Sequence, residues 1–265
     1  MEIRGARVLV TGASRGIGAA IAQGFASAGA DVALVARSPD SLGEVAERTG
    51  GTAYPADLGD LDAIPDLVEK IEADGAIDVL VNNAAVEHVG WFADRTWEEV
   101  AQVIDVNLKS PVRLAHLFVP RMLERGRGRI VNISSMAAVM SPPGLAAYTA
   151  SKAGLSGFTA ALRMDLRDTP IGATIVHLGS VRGTEMDERA RSYGPLRKAA
   201  EQSQGRDLVA LDKVVAGVVG AVANDRDVVN LPRLLAGMPA ITELPRALTR
   251  LVFRRFPAHE ERSDA

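Results

Sequence analysis

Tyr148 and Lys152 stand four residues apart in Tyr148-Thr149-Ala150-Ser151-Lys152, with Ser135 upstream of them. On a helix that spacing puts a phenol and an ammonium on one face. A phenol titrates near pH ~10, so it is a poor proton-transfer group at neutral pH until something shifts it. An ammonium beside it would favour the phenolate and lower that value. Tyr148 would then give a proton to a carbonyl oxygen or take one from an alcohol, and Ser135 would hydrogen-bond the same oxygen. Taken alone, the pair also fits an ordinary helix surface. The order of the other polar residues along the chain argues against that.

The first of these is Thr11-Gly12-Ala13-Ser14-Arg15-Gly16-Ile17-Gly18, where a short apolar run meets a helical pattern. Gly12 permits a tight turn. Gly16 and Gly18 let backbone approach a phosphate and the sheet closely, and the following helix presents free N–H groups and a positive dipole end to a pyrophosphate. The spacing is not the common G-x-G-x-x-G, and a plain Gly-rich turn would look similar. After the next apolar run come Ala36 and Arg37, where dinucleotide folds that prefer NAD place a carboxylate for the ribose hydroxyl. Arg15 and Arg37 are two guanidiniums with no carboxylate, which suits the 2′-phosphate of NADP(H) better than NAD(H). Two solvated surface arginines are the alternative. Asp57-Leu58 and Asn82-Asn83-Ala84-Ala85 follow later runs; such Asx residues either turn the chain locally or contact a base and brace a neighbouring strand. Asn107 falls inside a long helical pattern, where an amide side chain is unfavourable, and this points to a kink or a bound water.

The elements that must position these groups alternate. Apolar β-branched runs at Arg7–Val10, Asp31–Ala36, Thr52–Pro55, Ile77–Val81, Arg129–Ile133, Ala173–Leu178 and Val228–Leu231 predict strands. Helical patterns separate them near 16–28, 39–48, 60–74, 97–124, 148–168 and 208–223. Strands joined by helices imply parallel pairing with right-handed crossovers, and runs that do not alternate imply a sheet covered on both faces. The expectation is one doubly wound α/β domain over 1–265, a Rossmann-type sheet of about seven strands, with its ligands at the C-terminal strand ends. Residues 183–207 are polar without a clean period and read either as a substrate lid or as a surface loop. In 232–256, Leu244, Leu248, Leu251 and Val252 form a stripe with Arg246, Arg250 and Arg254 on other faces. That helix would pack on its own domain, on a partner subunit or on a membrane surface, the last being the less favoured expectation.

Composition excludes several classes. The 265 residues are 47% apolar and 24% charged, as in a soluble globular protein. A net charge of −3 argues against nucleic acid as partner. With no cysteine there is no disulfide, thiolate metal site or cysteine nucleophile, and His88, His116, His177 and His259 show no ligand-like pairing, so no metal is expected. No run reaches the ~18 apolar residues of a membrane helix, and the start, with Val8–Val10 ending at Thr11, lacks a secretion signal; a cytoplasmic protein is expected.

In combination these motifs closely resemble the short-chain dehydrogenase/reductase family, in its single-domain branch, from about Arg4 to Met186. The resemblance implies hydride transfer between a nicotinamide and a carbonyl or alcohol. It implies Tyr148 as general acid/base, Ser135 rather than Ser134 orienting the substrate oxygen, Lys152 binding the nicotinamide ribose and tuning Tyr148, and Asn107 holding a relay water. Cofactor contacts would come from Gly12, Ser14, Arg15, Gly16, Ile17, Gly18, Arg37, Asp57, Leu58, Asn83, Ala84, Tyr148, Lys152, Val181 and Thr184. The chain departs from the family at Ala85, where glycine is usual, at Leu178, where proline is usual, and in an extra residue before Thr184. Met136, Met140, Pro142, Pro143, Leu145, Val181, Met186 and Tyr193 are pocket candidates, mostly apolar, and imply a hydrophobic ketone or aldehyde. Three readings follow: an NADP-dependent carbonyl reductase or alcohol dehydrogenase; a 3-oxoacyl carrier-protein reductase, for which Arg125, Arg127 and Arg129 are candidates for a basic docking rim or equally a solvated turn; or a nucleotide-binding sensor or scaffold without turnover. A homodimer or homotetramer is implied by the family, with Ala150, Ala153, Gly154, Gly157, Ala160 and Ala161 as small residues for a helix contact or for packing on the sheet.

Overall fold

The computed structural model describes residues 1–203 and 208–232. The apolar runs become strands β1 (Arg7–Thr11), β2 (Asp31–Ala36), β3 (Thr52–Pro55), β4 (Val79–Asn82), β5 (Gly128–Ser135), β6 (Ile171–Leu178) and β7 (Val228–Leu231). They form one sheet in the order β3-β2-β1-β4-β5-β6-β7, and every pairing is parallel. Consecutive residues of β1 show why its sequence does not alternate. Val8 and Val10 join the core on one face, with Phe25 of α1 (Gly16–Ser27), Leu42 of α2 (Pro39–Thr49) and Val218 of α10 (Leu211–Ala223). Leu9 joins the core on the other, with Val68 of α3 (Ile64–Ala73) and Phe118 of α5 (Ser110–Arg125). Both faces are apolar because both are covered. The direction of winding reverses between β1 and β4, which opens a crevice at their C-terminal ends.

The predicted helix over 97–124 is three pieces. α4 (Trp97–Ile104) starts on a capping box, in which the Thr96 hydroxyl accepts from Glu99 N (3.3 Å) and the Glu99 carboxylate accepts from Thr96 N (3.1 Å). A π turn over Asp105–Lys109 follows, then α5. Such widened turns commonly serve functional sites. Here it carries Asn107, fully buried. Beyond β5 come the short α6 (Ala137–Met140) and α7 (Ala146–Asp165), which carries Tyr148 and Lys152. Beyond β6 come α8 (Glu185–Ser192) and α9 (Gly194–Ser203), formed from the polar stretch without a clean period. Among the described residues no helix is long and apolar enough to cross a membrane. The amphipathic stripe expected in 244–255 lies outside the described residues.

Candidate active site

The crevice is a cleft of about 1350 Å³ that runs from Arg37, Ser41 and Asp57, past the glycine loop, to Tyr148, Met186 and Leu196. That exceeds the ~300–1,000 Å³ typical of a single small-ligand pocket and leaves room for a dinucleotide and a substrate together.

Its floor is made by strand ends clamped to one another. The Thr11 hydroxyl accepts from the backbone N–H of both Asn83 and Ala84, each at 3.0 Å, and the Asn83 amide donates to the carbonyl of Thr11 at 2.9 Å. Asn83 therefore braces β1 against β4 and also lines the cleft, while its neighbour Asn82 braces the next strand through Asn132 (2.8 Å). A Cβ on Gly18 would sit 2.0 Å from the carbonyl oxygen of Gly12, so helix α1 can meet the loop this closely only without a side chain there. Gly16 has φ +54 with open space where a Cβ would point, and no side chain caps the first turn of α1. This cradle, backed by the α1 N–H groups, fits a pyrophosphate. Gly12, Ser14, Arg15, Gly16, Ile17, Gly18, Arg37, Asp57, Leu58, Asn83, Ala84, Val181 and Thr184 all line the same cleft. Asp57 also turns the chain locally, accepting from Gly59 N at 2.9 Å. Thr184 donates to Val181 O (2.9 Å) and accepts from Asp187 N (3.2 Å), which caps the start of α8. Arg15 and Arg37 are exposed, and Arg15 donates to Glu185 of α8 at 2.7 Å.

The other end of the cleft gathers Ser135, Tyr148 and Lys152. Ser135 ends β5 and its hydroxyl accepts from Ala137 N (3.1 Å), whereas Ser134 points into the core and donates to Lys152 O (3.0 Å). The Tyr148 hydroxyl lies 3.7 Å from the Met186 sulfur. The expected lowering of the Tyr148 phenol by Lys152 is corrected. Burial pushes that phenol well above its ordinary range, the Glu87 carboxylate pushes it further, and hydrogen bonding from Ser135 acts the other way. Lys152 gives its ammonium to the carbonyl of Ile133 (2.9 Å), 5.8 Å from the Tyr148 ring centre, and burial pulls its own pKa down to about 8. Asn107 is spent on the chain leaving β4 and on α7. Its carbonyl accepts from Val86 N and its amide donates to Val86 O, both at 2.8 Å, with a further bond to the Ser151 hydroxyl at 3.2 Å. The π turn thus holds the chain leaving β4 as a neighbouring strand would.

One residue of the site is absent from the sequence-based candidates. Glu87 follows Val86, lines the cleft, and has a side chain only 2% exposed. Its Oε1 is buried without a hydrogen-bond partner, and the nearest cation, Arg189 of α8, stands 3.6 Å away. Burial raises its pKa to about 7, against the pull of Arg189 and with a further push from Asp187. A buried acceptor left unmet costs about 1–3 kcal/mol. A carboxylate directly after the apolar Ala84-Ala85-Val86 was the available signal.

Two expectations fail on position. Arg125, Arg127 and Arg129 lie about the start of β5, at the opposite end of the sheet from the cleft. Each is held by an internal ion pair: Arg125 with Glu72 (3.0 Å), Arg127 with Asp78 (2.7 Å) and Arg129, almost wholly buried, with Asp225 (2.9 Å). They form no docking rim for an acidic carrier. Met136, Met140, Pro142, Leu145, Val181 and Met186 line the cleft, but Pro143 and Tyr193 do not. The Tyr193 ring instead packs so closely on Gly144 that a Cβ there would meet it at 2.6 Å.

Comparison with known proteins agrees with this geometry. The family model described as short chain dehydrogenase matches residues 6–193. A ketoacyl reductase, HetN, from a Nostoc species is 38% identical over 199 residues, which covers 73% of this chain and 69% of the relative. A metagenomic short-chain oxidoreductase solved in complex with NADP is 41% identical, with a TM-score of 0.64, over 71% of this chain and 88% of the other. A short-chain dehydrogenase/reductase from Burkholderia phymatum in complex with NAD is 27% identical, with a TM-score of 0.78, over 93% of this chain and 97% of the other.

Proposed function

The chain belongs to the short-chain dehydrogenase family, and from that premise we propose that it is an NADP(H)-dependent reductase or dehydrogenase acting on the carbonyl or secondary alcohol of an apolar small molecule. The observation that carries this reading is the meeting of Ser135, Tyr148 and Lys152 at one end of a cleft that runs on past the glycine loop to Arg37 and Asp57. The nicotinamide, when bound, supplies or accepts the hydride. Tyr148 moves the proton. Held high by burial, its phenol is neutral at pH 7 and carries the proton that a reduced carbonyl oxygen would take. Ser135 holds the substrate oxygen beside that hydroxyl. Lys152 contributes a cation from the same helical face, and Asn107 positions the Val86 segment that forms one wall. Gly12 to Gly18 would hold the pyrophosphate, Asp57 and Leu58 the adenine, Asn83 and Ala84 the adjoining ribose region, and Val181 and Thr184 the nicotinamide.

Arg15 and Arg37, with neutral Ala36 and no carboxylate at the end of β2, support NADP(H) over NAD(H). The solved relatives include one with each cofactor. The apolar wall of Met136, Met140, Leu145 and Met186 supports a hydrophobic substrate. The ketoacyl reductase among the relatives favours a 3-oxoacyl thioester as a second reading, though without the arginine rim as a carrier-docking surface.

The test is NADPH and NADH oxidation, followed by absorbance, over apolar ketones, aldehydes and acetoacetyl-CoA. Turnover with NADPH is expected, reduced by about 10²–10⁴-fold in Tyr148→Phe with NADPH binding retained. Tight NADPH binding with no turnover across the panel would replace this reading with a sensor or scaffold.

A further inference from the structure

Glu87 is a buried titratable group that proton transfer through Tyr148 does not use. Its position is fixed. Val86, just before it, is bonded through both its N–H and its C=O to Asn107 of the π turn, so the Glu87 backbone has little freedom to swing outward. The side chain is 2% exposed and lines the cleft together with Met136, Leu145 and Met186 and with the charged Asp187 and Arg189 of α8. Its Oε1 is buried with no hydrogen-bond donor within 3.5 Å, and its ion-pair partner Arg189, at 3.6 Å, is half exposed. A buried acceptor met only by a long ion pair, beside the candidate reacting centre, is open to a closer donor.

We propose that Glu87 is a specificity-determining residue, whose buried carboxyl hydrogen-bonds a hydroxyl group carried by the substrate in addition to its reacting carbonyl. The natural substrate class is then an apolar hydroxyketone or the corresponding diol. This rests on the reductase reading given above. A hydroxyl fits better than an ammonium for two reasons. Arg189 from α8 already supplies positive charge to this wall and Lys152 from α7 to the same end of the cleft. The carboxyl also titrates near neutrality, between Arg189, Asp187 and Tyr148, so it presents either an acceptor or a donor; a hydroxyl satisfies both forms and an ammonium only one.

The experiment uses the full chain with NADPH and a ladder of linear ten-carbon 2-ketones carrying one hydroxyl at each position from C4 to C10, against 2-decanone. The expected result is a kcat/KM at least tenfold higher for the best hydroxyketone than for 2-decanone in the wild type. That ratio should fall to within twofold in Glu87→Leu and be partly retained in Glu87→Gln, whose amide oxygen still accepts. Calorimetric binding of the matching diol and of 2-decanol to the NADP⁺-loaded protein should show the same ratio. A wild-type ratio near one at every position, with 2-decanone reduced, would overturn the inference and leave the reductase reading standing. It is the result expected if Glu87 serves only as a partner for Arg189. A preference that survives in Glu87→Leu would also overturn it. If no ketone is reduced, the reductase reading falls, and equal binding of diol and 2-decanol would overturn this inference separately. Should Glu87→Leu fail to fold, the wild-type ratio and Glu87→Gln decide.

Discussion

The floor of the cleft and its cover are held by different kinds of contact. The floor is the β1 and β4 ends with the glycine loop. There the Thr11 hydroxyl and the Asn83 amide tie adjacent strands together at 2.9–3.0 Å, and α1 meets the loop through Gly18 with no side chain between. The cover is α8 with the start of α9. It touches the floor through the exposed Arg15–Glu185 pair (2.7 Å) and reaches the far wall through Arg189–Glu87 (3.6 Å) and Met186 on Tyr148 (3.7 Å). The floor is tied by several hydrogen bonds of 2.9–3.0 Å between partly buried groups, whereas an exposed ion pair such as Arg15–Glu185 contributes about 0–1 kcal/mol. The floor is thus held by more and closer contacts than the cover.

The sharpest way to break this contrast is at the floor. Gly18→Ala places a methyl 2.0 Å from the Gly12 carbonyl and 2.6 Å from the Asn83 amide, so the loop must move. The expected result is a loss of about 1–3 kcal/mol in urea unfolding, together with loss of most NADPH binding by fluorescence titration. Unchanged binding would mean that the loop is as adaptable as the cover.

An intermediate effect is expected at Glu87, where floor and cover meet. Its carboxyl shifts from 4.5 to about 7 on folding, so the folded state holds the extra proton between those values. Stability associated with that group is present below pH ~4.5 and is lost as pH rises through about 7, at full weight about 3 kcal/mol. Glu87→Gln removes this loss, so the variant should gain on the wild type between pH 5 and 7.5 in paired urea titrations. Lys152, lowered to about 8, acts above this window and is common to both proteins. A stability difference that does not vary with pH would show that the carboxyl is solvated. Because Glu87 also raises the Tyr148 phenol, the alkaline limb of the rate profile should move to lower pH in the same variant.

The smallest effect belongs to the cover. Glu185→Ala removes an exposed partner of Arg15 and should change stability by less than about 1 kcal/mol. It frees the guanidinium for a 2′-phosphate, so the KM for NADPH should fall severalfold while that for NADH stays put. Equal changes for both cofactors would remove Arg15 from 2′-phosphate recognition.

Much of the floor was legible in the chain. All seven strands lie where the apolar runs put them, with ends shifted by a few residues, because a sheet covered on both faces needs an unbroken run. The misfit of Asn107 in a helix pointed to a kink or a bound water, and the structure puts a π turn there, with the amide satisfied by Val86. The cover was much less legible. The polar residues 183–203 have no clean period, and their helices are set by contacts with Gly144, Glu87 and Arg15 from distant parts of the chain. Arg125, Arg127 and Arg129 looked like a surface cluster, because a local run of charge does not reveal that Glu72, Asp78 and Asp225 lie beside it.

Residue types and spacings by themselves determined the parallel sheet and the Gly-rich turn after its first strand, because each follows from local periodicity or from backbone sterics within a few residues, whereas Ser135, Tyr148 and Lys152 stood out through the resemblance to the family. Only the tertiary structure decided the protonation of that site and the presence of Glu87 within it. Burial and the field of a distant carboxylate depend on which segments meet in space, and both raise the phenol that spacing alone would have lowered.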